Sequence, residues 1–184
     1  GYVAQTVANF NTYNTEAAIN LPIGDSFAIR VAGMARESDG YINDVNTGSE
    51  INTVDEQGLR ISAEVRPADY LTSLFVVDFA QTDNGGSGAF ALPGSIGGAA
   101  QQARDHYNTA SGVPQHSDVD IFSAANTTTW DISENISLRN IFGYRELQNN
   151  TLEDTDGSDA LRITIQRITE HQQFSNEFQI LGDA

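Results

Sequence analysis

The sequence predicts an all-β chain: an antiparallel up-and-down sheet of about eight strands, built as a transmembrane β-barrel segment. Three observations predict it. Segments of alternating apolar and polar residues recur along the 184 residues. The connectors between them are short, then long, then short again. Finally, no apolar run approaches the roughly 20 residues that a membrane-crossing helix needs, whereas a barrel strand crosses with ~9 to 11 residues and only every second one facing lipid.

The short connectors are Pro22-Ile23-Gly24-Asp25-Ser26, Pro67-Ala68-Asp69-Tyr70 and Ile132-Ser133-Glu134-Asn135. The long ones run over 39–56, 83–118 and 150–160. The two kinds fall at opposite ends of the strands, as tight periplasmic turns and extended extracellular loops do in outer-membrane barrels.

Taken in order, residues 2–10 give a first strand whose register the sequence leaves ambiguous. Residues 13–21 alternate Thr15, Ala17, Ile19 and Leu21 with Asn14, Glu16, Ala18 and Asn20. A proline-glycine turn reverses the chain, and 27–36 sets Phe27, Ile29, Val31, Gly33 and Ala35 against Ala28, Arg30, Ala32, Met34 and Arg36. The clearest period of two sets Leu59, Ile61, Ala63 and Val65 against Arg60, Ser62, Glu64 and Arg66; a helix would scatter these charges around its circumference. In 71–81, Leu71, Phe75, Val77 and Phe79 alternate with Thr72, Asp78 and Ala80, and the lipid side is assigned to the phenylalanines although Leu74 and Val76 are apolar too. Phe122, Ala124 and Trp130 share a parity in 119–131. In 136–148, Ile136, Leu138, Phe142 and Tyr144 oppose Ser137, Arg139 and Arg145. Over 162–181, Phe174, Phe178 and Ile180 oppose Gln173, Ser175, Glu177 and Gln179. Phe27, Tyr70 and Trp130 lie beside short turns, where an aromatic girdle meets a membrane interface. Periodicity alone leaves a soluble β-sandwich open, because antiparallel sheets with one solvated face alternate in the same way.

Composition narrows the function classes. Nine arginines and no lysine stand against 25 acidic residues, for a formal charge of -16; no basic stripe for nucleic acid can be assembled. With no cysteine there is no disulfide framework and no thiol-ligated zinc. G-x-S-x-G, H-E-x-x-H and Walker sequences are absent, and His171 stands beside Glu170 without a nucleophile in a recognisable setting. The chain is therefore expected not to be an enzyme and to need no cofactor.

Two features invite a metal reading. His106 and His116 are ten residues apart in the loop 83–118, without a third ligand at fixed spacing, so no metal is assigned. In Asp154-Thr155-Asp156-Gly157-Ser158-Asp159, aligning the glycine as sixth of an EF-hand loop puts Leu152 first and Ile163 last, so that pattern fails. A solvated turn is expected there. Long loops on a rigid scaffold carry recognition, which makes His106, Tyr107 and His116 ligand candidates.

Several segments, in order, resemble the β-barrel domain of TonB-dependent outer-membrane receptors, particularly a large group in sphingomonad-like proteobacteria. They are Gly1-Tyr2-Val3 through Val7-Ala8-Asn9-Phe10; Glu16-Ala17-Ala18-Ile19-Asn20-Leu21-Pro22; Arg30-Val31-Ala32-Gly33 with Asp39-Gly40-Tyr41-Ile42; Gly58-Leu59-Arg60; Asn140-Ile141-Phe142-Gly143-Tyr144-Arg145; and Phe174-Ser175-Asn176-Glu177-Phe178-Gln179-Ile180-Leu181-Gly182. The resemblance implies a barrel of about 22 strands around an N-terminal plug, of which residues 1–184 supply about the first eight, without plug or TonB box. It further implies an outer-membrane location, lipid around the wall, the TonB-ExbB-ExbD system acting through the plug, and a small-molecule nutrient such as a ferric siderophore as ligand. The strand-like start at Gly1 and a turn at Gly182-Asp183 are expected marks of a piece of something longer. On the inner face, Arg30, Arg36, Arg60, Glu64, Arg66, Arg139, Arg145 and Glu177 are the ligand or plug-contact candidates. The alternatives are a complete eight-stranded barrel with a structural or adhesive role, and a soluble β-sandwich that binds carbohydrate.

Overall fold

The alternation of the sequence becomes one continuous ladder in the structure, a computed structural model that describes residues 1–182 apart from the side chain at position 99. The elements are β1 (Tyr2–Ala8), β2 (Thr12–Ile23), β3 (Phe27–Ser38), β4 (Ile42–Asp44), β5 (Glu50–Ile51), β6 (Val54–Ala68), β7 (Leu71–Gly85), a short α1 (Gly98–Gln102), β8 (Asn108–Thr109), β9 (His116–Ser133), β10 (Ile136–Asp154) and β11 (Thr164–Gly182). Eight of them form a single sheet in the order β1-β2-β3-β6-β7-β9-β10-β11, every neighbouring pair antiparallel. The turn expected at Gly182-Asp183 ends outside the described residues.

Register fixes the faces, because residues directly opposite each other in an antiparallel pair point the same way. One row runs Ile19, Val31, Ile61, Val77, Ala124, Tyr144 and Phe174 across seven strands. The row beside it on the other face runs Ala18, Ala32, Arg60, Asp78, Ser123, Arg145 and Gln173. The apolar and polar parities read from the sequence therefore coincide strand after strand, and the first strand gains its register from Val3 opposite Ala17 and Val7 opposite Tyr13.

Both soluble and closed alternatives fail on this topology. A sandwich needs two sheets of comparable size packed face to face, yet the second sheet among the described residues is only the ribbon β5-β4-β8 of two- and three-residue strands. Closure into an eight-stranded barrel needs β1 against β11, and among the described residues each of these pairs on one side only. Large side chains lie exposed along the apolar face, among them Phe75, Phe79, Trp130, Phe174 and Phe178. On β9 the outward residues from Phe122 to Trp130 span roughly 20 Å along the membrane normal at ~3.3 Å per residue and a tilt near 40°, close to the height of a barrel's lipid band, and the polar pair between them, Asn126 and Thr128, is satisfied by hydrogen bonds with Ser73.

Two expectations are revised. The strands run further than the alternation: β6 begins at Val54 and β10 continues to Asp154. Past the apolar band both faces are polar, so pairing persists where period two is invisible. The short-long rhythm also has an exception: β1 and β2 meet in a tight turn on the long-loop side, a three-residue loop between the paired Ala8 and Thr12, with Phe10 and Asn11 at the left-handed φ values of 60° and 47°.

Almost all the deeply buried residues belong to the long connectors, with the adjoining ends of their strands. Ile42, Ile51, Ala91 and Ala110 are buried together with Asp44, Thr109, Ser111, Gln115, Asp154 and Ser158. The loop 83–118 is thus packed against its neighbours, and β8 pairs in parallel with β4 to join two loops directly. The turn at 154–159, expected to be solvated, is part of this cap, since Asp154 and Ser158 are buried.

Candidate functional site

The polar face carries a graded set of arginines. The Arg60 guanidinium Nε donates to the Asp78 carboxylate at 2.5 Å, and Ser123 Oγ donates to the other Asp78 oxygen at 3.2 Å. Arg36 stands 3.8 Å from Glu56, and Arg66 stands 2.5 Å from Glu64. Arg30 donates to the Asn20 side-chain oxygen at 2.7 Å, and Arg139 to Thr129 Oγ1 at 3.3 Å. Glu177 accepts from Gln179 at 2.7 Å. Arg145 lies in the same row as Arg60, Asp78 and Ser123 and has no ion pair or side-chain hydrogen bond among the described residues. The eight inner-face candidates read from the sequence therefore lie on one wall, and the register joins Arg60, Asp78, Ser123 and Arg145 into one polar row.

The loop candidates are not brought together. His106 is exposed at a loop tip, with Nδ1 at 3.0 Å from Asp105 and its ring against Tyr107. The Tyr107 carbonyl accepts from Asn43 N at 2.8 Å, which ties the loop into the ribbon. His116 opens β9 opposite Gly85 and Leu152, with Nε2 at 3.7 Å from Asp118. Among the described residues no group of three or more histidine, aspartate or glutamate side chains is placed to hold a metal ion.

Sequence reading passed over the acids that organise the site. Asp78 and Glu56 neutralise Arg60 and Arg36, and Asp78 was visible as the charged member of an otherwise apolar strand. No sequence signal singled out Asp44. Its carboxylate accepts from Asn46 N, Thr47 N, Ser111 N and Ser111 Oγ. Burial pushes this acid up, and the hydrogen bonds from Ser111, Asn46 and Thr47 outweigh it and hold the carboxyl below the ordinary aspartate range. On the other side the Asp154 carboxylate accepts from Gly112 N at 2.7 Å, Asp156 N at 3.0 Å and Gly157 N at 3.2 Å. Two loops thus clamp consecutive amides of a third, Ser111 and Gly112. Among the described residues neither buried acid has a basic partner, and backbone N–H groups satisfy both.

Gly157 supplies the turn this clamp requires. Its φ is 66°, and a Cβ there would stand 2.6 Å from Ala91 N. Gly157→Ala is expected to cost about 1–2 kcal/mol for the left-handed backbone alone, more with the clash. Faster hydrogen exchange in 155–163 with β10 unchanged would show it; unchanged exchange in that loop would refute the assignment.

The arrangement matches solved receptors along its length. The ferric yersiniabactin uptake receptor of Yersinia pestis superposes with a TM-score of 0.80 at 13% identity, over 100% of this chain and 28% of that one. A siderophore receptor of Acinetobacter baumannii gives 0.68 at 13% identity, over 98% and 26%. The ferric-catecholate import receptor of E. coli K12 gives 0.64 at 15% identity, over 96% and 29%. No protein-family model matches the sequence, and no curated protein matches it. The fold is that of an antiparallel up-and-down transmembrane β-barrel segment. The proteins that share it here are uptake and import receptors, not enzymes, and the chain spans between a quarter and a third of their length.

Proposed function

We infer that residues 1–184 are part of the barrel domain of a TonB-dependent outer-membrane receptor, of the group found in sphingomonad-like proteobacteria, which imports a scarce nutrient such as a ferric siderophore. The superposition of the whole chain on a ferric-siderophore uptake receptor carries this reading. The faces support it: an exposed aromatic and aliphatic band fits lipid, and a wall of paired arginines fits a wet lumen. In this reading the tight turns at 24–26, 69–70 and 134–135 are periplasmic, the packed loops are extracellular, and energy reaches the barrel through TonB-ExbB-ExbD acting on a plug outside residues 1–184.

A strain deleted for the intact receptor, grown on defined iron sources under limitation, tests it. At least one ferric siderophore is expected to stop supporting growth, with the same loss when TonB is deleted. Growth equal to wild type on every iron source would remove the siderophore reading.

A further inference from the structure

The apolar face of the sheet carries a compact polar patch. Register places Ser73, Thr128 and Asn140 in one outward row on β7, β9 and β10, and Asn126 and Asn176 in the next, on either side of Phe142. Apolar outward residues bracket the patch along its strands: Leu138 and Phe142 flank Asn140, and Phe174 and Phe178 flank Asn176.

The hydrogen bonds of the patch are unevenly distributed. On β7 and β9 they close on themselves: Asn126 Nδ2 donates to Ser73 Oγ at 2.9 Å and to the Leu74 carbonyl at 3.2 Å, Thr128 Oγ1 donates to Asn126 Oδ1 at 3.0 Å, and the Ser73 and Thr128 hydroxyls meet at 2.7 Å. On β10, Asn140 Nδ2 uses both its hydrogens, on Asn176 Oδ1 at 2.8 Å and on the Glu177 carbonyl at 3.1 Å. Among the described residues the Asn140 Oδ1 acceptor and the Asn176 Nδ2 donor are left without a partner. Asn140 has a strand on each side, with Thr128 and Phe178 opposite. Neither serves its oxygen, because the Thr128 hydroxyl hydrogen goes to Asn126.

Water would satisfy these two groups on a wet face, and hydrocarbon does not. An acceptor beside a donor is its own complement. Across a two-fold axis the Asn176 amide of each copy can donate to the Asn140 oxygen of the other, so that one contact is made twice, as in an isologous interface. Relief favours close approach too: Ser73 and Thr128 are small beside the exposed Phe75 and Phe178, and small residues let membrane segments pack tightly.

We propose that this patch is the contact through which a second copy of the receptor packs against the barrel wall within the membrane. The proposal rests on the receptor reading above, which sets this face in lipid. None of the five polar side chains is ionisable, so the patch selects by matched amides rather than by charge.

The test uses the intact receptor, labelled in two colours and reconstituted in phosphatidylcholine vesicles, with association read by energy transfer as the protein-to-lipid ratio is lowered. Wild type is expected to associate, and the double variant Asn140→Leu with Asn176→Leu to need at least tenfold more receptor per lipid for the same transfer. Asn140→Gln, which keeps the acceptor, should retain most of the association. Ile19→Ala, on the same face but outside the patch, should leave it unchanged. Heat-modifiable migration confirms that each variant barrel is folded. Association indifferent to the leucine pair, or lost equally with Ile19→Ala, would overturn the proposal. An inserted wild type that stays monomeric at every ratio overturns it alone, also where native membranes show it bound to a different protein. A wild type that remains outside the bilayer overturns the receptor reading.

Discussion

Phe75→Arg is expected to destabilise the intact barrel by about 2–4 kcal/mol, the cost of an arginine near the middle of a barrel's lipid face. Phe75 lies midway along the outward stretch of β7, opposite Ala63 and Asn126, and is exposed although it is large and apolar. One residue further, Val76 points to the polar wall, opposite Ser62 and Ala125. Val76→Arg should therefore be tolerated. The yield of folded, heat-modifiable receptor in outer-membrane fractions reads the difference. Equal yields for the two variants would mean that the apolar face does not meet lipid.

Asp44→Ala should release the cap while leaving the sheet intact. The substitution removes the acceptor of the buried Ser111 N and of the part-buried Asn46 N and Thr47 N, at about 1–3 kcal/mol for each group that finds no other partner, while Ser111 Oγ keeps the Val113 carbonyl. Limited proteolysis should then cut within 39–53 and 86–115 while β6, β7 and β9 stay protected. The acid's lowered pKa sets the sign of the pH effect. A carboxyl held below its unfolded value adds stability that is fully present above the ordinary aspartate range and lost as pH falls through the lowered value. The cap should thus stay closed in mildly acidic medium and loosen only in strong acid. Asp44→Asn, which keeps an acceptor oxygen without the charge, should fall between alanine and wild type. A cap that resists protease in Asp44→Ala would sink the clamp.

How far the sequence was legible depended on which residues carried contrast. Leu59 to Arg66 could be read directly, because each step alternates a branched or apolar side chain with a charged or hydroxyl one, and β6 and its neighbours obey that parity. Beyond Gln57, Gln81 and Gln148 the same strands continue with polar residues on both faces, so their length became visible only through pairing. The inner arginines could be placed on one wall from parity alone. Which of them are neutralised depended on Asp78, Glu56 and Ser123 arriving from other strands.

The sequence by itself determined the strands, their two faces and the positions of most turns, since side-chain direction along a strand is a local property with a period of two. The tertiary structure alone decided that, among the described residues, β1 and β11 do not pair and Arg145 has no ion pair in a row that satisfies Arg60, and that three loops close around Asp44 and Asp154. Those outcomes join residues tens of positions apart. Hydrogen bonds between Asp44 and Ser111, or Asp154 and Gly112, leave no periodic trace in composition, because the chain must first fold to bring the carboxylate and the amide together.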